Sequence, residues 1–479
     1  MIGYTTVEKA GFSNETISRF IKRIQKHELT MHSVLMLRGN DIFFEKYWAP
    51  FTQDTPHRMY SVTKSFVAIA IGFLLQEGKL SLDDPIIKYF PDKQPETIHP
   101  LMQKQTILNM LMMSTCLSGV GWFKPEVYDR TQYYFAQTPT HPAGALFDYD
   151  STGSYILGVL IERVSGMKLL DYMKLTFLDK LGGFDNAEIL MVPDGSPWGD
   201  SALLCTPRAL MNCARFVMNR GVWEGERLLD EKYLTEATTP RIANCIDGAI
   251  KPTLYGYGYQ FWCTEQNGFA FNGMGGQFAI CVPEKDFIFL CTGDNQYNSS
   301  ATETIFRAVF DILLEENEPE QTETCALPTA RGQAYSAFAD KISGKTFVCD
   351  KNPMGITRFR LDFHGNEGVF SYTNEQGDKT LPFGLKENKF VKFPQLGYSN
   401  ERGNVHEITD FMYDCASSAG WLQERMLQLR VQIIDKYLGS LTATFGFPDE
   451  NTAGVRMIKN AEDFLKEYEG WLSACVQDH

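Results

Sequence analysis

No stretch of this chain offers the roughly 18 consecutive apolar residues that a membrane-spanning helix needs, so none is expected. The opening residues, Met1-Ile2-Gly3-Tyr4-Thr5-Thr6-Val7-Glu8-Lys9, have no basic start and no apolar run behind it. A secretory leader is therefore not expected there, and the expected location is cytoplasmic. Basic residues are the minority, 45 Lys and Arg against 59 Asp and Glu, for a net charge of −14. That balance argues against a nucleic acid or an anionic membrane surface as partner. The 11 cysteines are odd in number and never spaced Cys-x-x-Cys, which excludes a disulfide framework and a zinc knuckle and leaves core thiols of a reducing compartment. The 8 histidines form no His-x-x-x-His pair and no His-Glu-x-x-His, so no metal and no cofactor is expected. A Gly-x-Ser-x-Gly elbow is missing too, which removes the α/β-hydrolase arrangement.

What remains is a chain of 479 residues with 44% hydrophobic composition, enough for two or three cores. Its most telling stretch is Met59-Tyr60-Ser61-Val62-Thr63-Lys64-Ser65-Phe66-Val67-Ala68-Ile69-Ala70-Ile71-Gly72. If Ser61 opens a helix, Ser61 and Lys64 stand at i and i+3 on one face. Serine is a weak nucleophile until a neighbouring base takes its proton, and a lysine serves as that base when burial favours its neutral form. The tetrad alone recurs by chance, most often as a solvated helix start, so it needs partners further along the chain.

Two segments qualify. In Phe147-Asp148-Tyr149-Asp150-Ser151-Thr152-Gly153 a phenol and a small hydroxyl precede a helix, where Tyr149 can relay a proton and Ser151 can bond the lysine or the substrate. The plainer alternative makes Tyr149 a core aromatic and Asp150 or Ser151 a helix cap. In Phe271-Asn272-Gly273-Met274-Gly275-Gly276-Gln277 the glycines permit close approach of a ligand to the backbone, or simply a bulged hairpin turn.

Together these segments resemble the serine hydrolase family that contains class C β-lactamases, D,D-peptidases and related esterases and amidases. The resemblance spans roughly residues 8 to 315, with support from Leu108-Asn109-Met110-Leu111 and Ile156-Leu157-Gly158. It implies an acylated nucleophile at Ser61, a base or proton partner at Lys64 and a proton shuttle at Tyr149. It further implies an oxyanion hole from the backbone N–H groups of Ser61 and Met274, with Ser151, Asn272, Gly273 and Gln277 along the substrate. Two departures stand out. Ser151 replaces the amide of a Tyr-x-Asn motif, and Phe271-Asn272-Gly273 lacks the cation of Lys-Thr-Gly or His-x-Gly. The missing cation favours an ester or amide without a carboxylate beside the scissile bond.

The expected fold is α/β of the α+β type: an antiparallel sheet flanked by helices, an all-helical lobe, and a small C-terminal β-sheet or barrel. Helices are expected over 12–28, from Ser61 to near Gly78, over 106–113, 151–178, 203–218 and 301–315, with a hairpin at 33–47 and strands from Tyr255 to Thr292. The expected domains are 1–318 for the hydrolase, 319–342 for a linker (Glu315 to Pro328 is acidic and Pro-bearing) and 343–479 for the β-rich end. The function expected is a serine acyl hydrolase for a small ester, amide or peptide. The alternatives are a true β-lactamase or D-Ala-D-Ala peptidase, and a non-catalytic sensor on the same fold.

Overall fold

The computed structural model describes residues 2–119, 121, 127–246, 254–296, 298–314, 327–398, 408–434, 438–461 and 465–476. Its first sheet has seven strands, and its order explains how distant motifs meet. The early hairpin Met31–Arg38/Asp41–Tyr47 pairs through Met31–Arg38 with the late strand Phe287–Gly293. The sheet then continues through Gln277–Val282 and Phe269–Gly273 to Trp262–Cys263. Strand side chains alternate between faces, so this sheet has two different covers. Phe20 and Ile24 of the helix Asn14–Lys26, with Ile305 and Phe306 of Ala301–Ala308, bury one face. The other face meets the long helix Val62–Gln76 and the helical lobe.

Helix Val62–Gln76 is buried on all sides from Val62 to Leu74. A helix apolar all round is stable only inside the molecule. The packing is tight enough that a side chain at Gly72 would run into the Tyr233 ring, whose hydroxyl donates to the Ala68 carbonyl at 2.6 Å. The lobe around it is built from Ile107–Leu111, Ser151–Ser165, Leu169–Met173 and Pro207–Met218.

Most elements lie where the sequence places them. Ser13 caps Asn14–Lys26 by accepting from the Thr16 N–H, and Thr106 with Asn109 forms a capping box on Ile107–Leu111. One element differs: residues 203–205 are a strand rather than helix, paired with His57–Arg58 and Glu188–Ile189. The helix begins only at Pro207, with Thr206 as its cap, because proline at the first helical position needs no N–H partner. The expected helix 151–178 also breaks, at Gly166 in the left-handed region (φ 73°).

The C-terminal part is a barrel. Nine strands close when Gly377–Leu385 pairs in parallel with Ile408–Gln423, and a further strand, Lys389–Tyr398, lies along Ile408–Gln423. Closure leaves those nine without free edges. The interior is filled by its own aromatic cluster, Phe347, Phe359, Phe370 and Phe445 among others, separate from the cores of the first part. Residues 319–326 of the expected linker lie outside the described residues. The rest of that stretch packs on the barrel: the Ala330 N–H donates to Ser418 Oγ at 2.9 Å, and Phe338 and Ile342 join its core.

The barrel touches the first part at one place that bears on function. Gln428 donates to the Cys245 carbonyl at 3.0 Å, and Thr444 to the Ile246 carbonyl at 3.0 Å. Trp471 stacks on His141 with centroids 4.1 Å apart. The Ala145 carbonyl enters the space that a side chain at Gly446 would fill. The barrel thus packs against residues 141–147, the segment that leads into Tyr149.

Candidate active site

Ser61 stands at the mouth of the buried helix, after Tyr60 in the left-handed region (φ 45°). Its hydroxyl makes no capping bond to the helix. Instead Lys64 Nζ donates to Ser61 Oγ at 3.0 Å. One turn of helix sets this pairing, and on a helix buried throughout its first part Lys64 is only 2% exposed.

The second partner of Lys64 belongs to none of the three motifs. Nζ donates to the Asp200 backbone carbonyl at 2.7 Å, and the Asp200 carboxylate lies 3.9 Å away. Burial pushes the Asp200 carboxyl up to about 6, against the opposing pull of Lys64 and Arg130. The only hint in the sequence is an Asp in a Gly-Asp-Ser turn, and 136 residues separate it from Lys64.

Tyr149 faces the same amine, which lies 5.3 Å from its ring centroid. The ring is held from behind by Trp262 at 5.4 Å, and Trp262 in turn leans edge-on against Tyr257 and Phe147. Tyr149 keeps 38% of its surface exposed, so one side packs and the other opens to solvent. Of the neighbouring aromatics, Tyr257 and Tyr259 are buried, and Tyr259 donates to Glu236 at 3.0 Å.

Asp150 rather than Ser151 caps the helix that follows Tyr149, accepting from the Thr152 N–H at 2.8 Å. That leaves Ser151 as the first helical residue, half-buried and directly after the cap. Burial raises the Asp150 carboxyl, with Thr152, backbone N–H groups and Thr115 opposing.

The glycine strand reaches the serine. A side chain at Gly273 would meet the Met59 carbonyl at 2.4 Å and Val62 at 3.3 Å, so glycine permits the strand end to abut the turn before Ser61. Met274 follows at the tip, 52% exposed, and Asn272 is half-buried. Gln277 is committed elsewhere: its amide donates to the carbonyls of Met274 at 3.0 Å and Gly293 at 2.7 Å, which makes it the clamp of the turn. Phe271 is fully buried against Phe66 and Phe261 and offers no face to a ligand.

A second residue outside the motifs joins three of these pieces. Gln260, buried and in the left-handed region (φ 62°), accepts at its carbonyl from Ser65 on the Ser61 helix (2.7 Å). Its side-chain oxygen accepts from Ser154 on the Tyr149 helix (2.7 Å), and its amide donates to the carbonyls of Met110 and Leu111, both at 2.9 Å.

A sheet whose glycine-bearing strand abuts a serine–lysine pair on a buried helix defines the class of β-lactamase and penicillin-binding-protein folds. The chain belongs to the beta-lactamase family, whose model matches residues 17–310. It is 24% identical over 287 residues to the 6-aminohexanoate-dimer hydrolase of Paenarthrobacter ureafaciens, spanning 55% of this chain and 72% of that protein. It is 28% identical over 180 residues to esterase EstB of Burkholderia gladioli, spanning 32% of this chain and 45% of the esterase. The octameric penicillin-binding protein homologue of Pyrococcus abyssi superposes with a TM-score of 0.51 at 17% identity. That match covers 96% of this chain and 99% of the other, barrel included. Family members named as hydrolases and esterases are therefore among its relatives.

Proposed function

We propose that this protein is a serine acyl hydrolase that cleaves an ester or amide through an acyl-enzyme on Ser61. The observation that carries the reading is the 3.0 Å contact between Ser61 Oγ and a buried Lys64 Nζ, with Tyr149 alongside. In acylation the Ser61 oxygen attacks the substrate carbonyl while its proton passes to Lys64 Nζ. The Tyr149 hydroxyl carries a proton to the leaving oxygen or nitrogen. The developing oxyanion is met by the backbone N–H groups of Ser61 and Met274, a reading supported by the close approach of the Gly273 strand end to the turn before Ser61. Water then attacks the ester on Ser61, and the same groups return the proton.

The substrate is one without a carboxylate next to the scissile bond. The glycine strand carries no cation, since Phe271 is core and Asn272 is neutral. Arg58, three residues before Ser61, is engaged already: it lies over the rings of Tyr60 (4.7 Å) and Trp198 (4.5 Å) and donates from Nε to the Ser201 carbonyl (3.1 Å). The test is kcat/KM for p-nitrophenyl acetate and butyrate, for matched short amides and for nitrocefin on one preparation. Turnover of the short esters or amides well above that of nitrocefin is expected. Nitrocefin turnover equal to the better ester would restore the β-lactamase reading, and no turnover of any substrate would favour a binding protein on this fold.

A further inference from the structure

We propose that Asp200 is the positioning residue of this site: it holds Lys64 on Ser61 and offsets the charge Lys64 gains as Ser61 is acylated. The inference rests on the acyl-hydrolase reading above and assigns a role to a residue outside its three motifs.

Two parts of Asp200 act on the amine. The backbone carbonyl accepts from Nζ at 2.7 Å and fixes where the amine points; the carboxylate, 3.9 Å off, supplies the charge. Both side chains are nearly sealed from water, with 2% and 3% of their surface exposed, so the charge is little screened by solvent. Oδ1 of Asp200 is buried and has no hydrogen-bond partner. A carboxylate kept in that state is costly unless the opposite charge stands close by. The position of Asp200 is set from below, where Gly199 packs on the Gly158 backbone, so the turn that carries it cannot drift away from the helix.

The charged and titratable groups around the pair come from several elements. Lys64 and Tyr149 face each other across the cleft. Arg130, from the helix Arg130–Phe135, pulls the Asp200 carboxyl down, and Asp150 pushes it up. Arg58 binds the next residue, Ser201. Among the described residues, Lys64 alone is both within 4 Å of the carboxylate and bonded to the nucleophile.

The consequence concerns the step in which charge appears. When the Ser61 oxygen bonds to the acyl carbon, its O–H bond breaks and the proton ends on Nζ, turning an amine into an ammonium. A fixed carboxylate beside it stabilises that product and the transition state leading to it, without reorganising. The same carboxylate, 3.9 Å from Nζ, also attracts a positive charge there in the resting enzyme, so its removal is expected to alter how labelling depends on pH.

These two effects give Asp200→Asn a signature that misplacement alone does not produce. The experiment follows the rate of Ser61 labelling by a fluorophosphonate from pH 5 to 9, by intact mass, for the wild type, Asp200→Asn and Asp200→Ser. The expected result for Asp200→Asn is a plateau at high pH lowered by about tenfold or more, with the acid limb moved toward lower pH by about one unit or more. Below about pH 6, where Asp200 takes up a proton, the two curves should converge. In a Lys64→Ala background, Asp200→Asn should change the residual rate little. A lowered plateau with an unmoved limb, or an unchanged profile, would overturn the proposal. So would failure of both variants to fold, which would make the carboxyl a structural requirement. A wild type that takes no label contradicts the hydrolase reading itself, whereas a labelled wild type with an unmoved Asp200→Asn limb contradicts Asp200 alone.

Discussion

At the scale of single residues, the site depends on how one amine divides its hydrogen bonds. Lys64 spends one on Ser61 and another on the Asp200 carbonyl, and its flank faces Tyr149. Groups that handle one proton in sequence fail together. Lys64→Ala and Tyr149→Phe are each expected to lower kcat by about 10²–10⁴-fold, and the double variant to lose little more than the worse single one. A double variant that lost the product of the two would show independent roles, measured with whichever p-nitrophenyl ester turns over best. Ser61, Lys64 and Tyr149 are legible in the sequence because each belongs to a local pattern, a helical i, i+3 spacing or a residue just before a cap. Asp200 and Gln260 are not, because they reach the site across 136 and 195 residues, and local spacing says nothing about such contacts. Gln277 misled for the related reason that a polar side chain beside glycines looks the same whether it binds a ligand or clamps its own turn.

At the scale of elements, the site is held by the crossing of two helices, and Gln260 joins them. Ser65 and Ser154, one from each helix, both spend their hydroxyls on it, and two carbonyls of 107–111 accept its amide. Gln260→Ala would remove three side-chain hydrogen bonds, leaving Ser154 its 3.4 Å contact to the Asp150 carbonyl and the Met110 carbonyl its bond from the Met113 N–H. A buried hydrogen bond contributes about 0.5–1.5 kcal/mol, so a loss of roughly 1–4 kcal/mol in denaturant unfolding is expected, together with reduced activity as the two helices lose their common tie. Activity and stability at wild-type level would contradict that role. Elements with strong periodicity, such as Asn14–Lys26 and the hairpin at 31–47, were readable from sequence. The barrel was readable only in part: Gly377–Leu385 carries Pro382, Lys389–Tyr398 carries Pro394, and Ile408–Gln423 contains Ala416-Ser417-Ser418-Ala419-Gly420. Proline and small polar residues look like breakers until strand closure and neighbouring strands show how they pair.

At the scale of the whole molecule, two cores meet at the segment that leads into Tyr149. His141 sits in that contact, fully buried against Trp471, and burial pulls its imidazole down to about 3. His57, buried beside His32, is pulled down to about 4. Both fold as neutral rings while the unfolded chain takes up protons near its ordinary 6.5, so their stabilisation is complete above pH 6.5 and is lost as pH falls. Asp200, raised by burial, works in the opposite sense over its own range, so the informative quantity is a difference between variants. His141→Phe keeps a ring on Trp471 and removes the titration. The wild type should lose roughly 2 kcal/mol more than this variant between pH 7 and pH 5, read from thermal unfolding at both pH values. Equal losses would contradict the assignment. We further propose that the chain divides between the two cores at the acidic, Pro-bearing sequence from Glu315 to Pro328, of which 315–326 lie outside the described residues. Limited proteolysis should cut there and leave a hydrolase piece and a barrel piece that begins before Ala330. Cuts confined to the first sheet or its helices would refute the division.

The central claim is that Ser61 becomes covalently acylated with Lys64 as its proton partner, and intact-mass labelling tests it most directly. The wild type exposed to a fluorophosphonate should gain the mass of one phosphonyl group, mapped by peptide sequencing to Ser61. Ser61→Ala should gain none while keeping its fold, and Lys64→Ala should gain it far more slowly. Label that persists on Ser61→Ala, or that maps to another serine, would contradict the account.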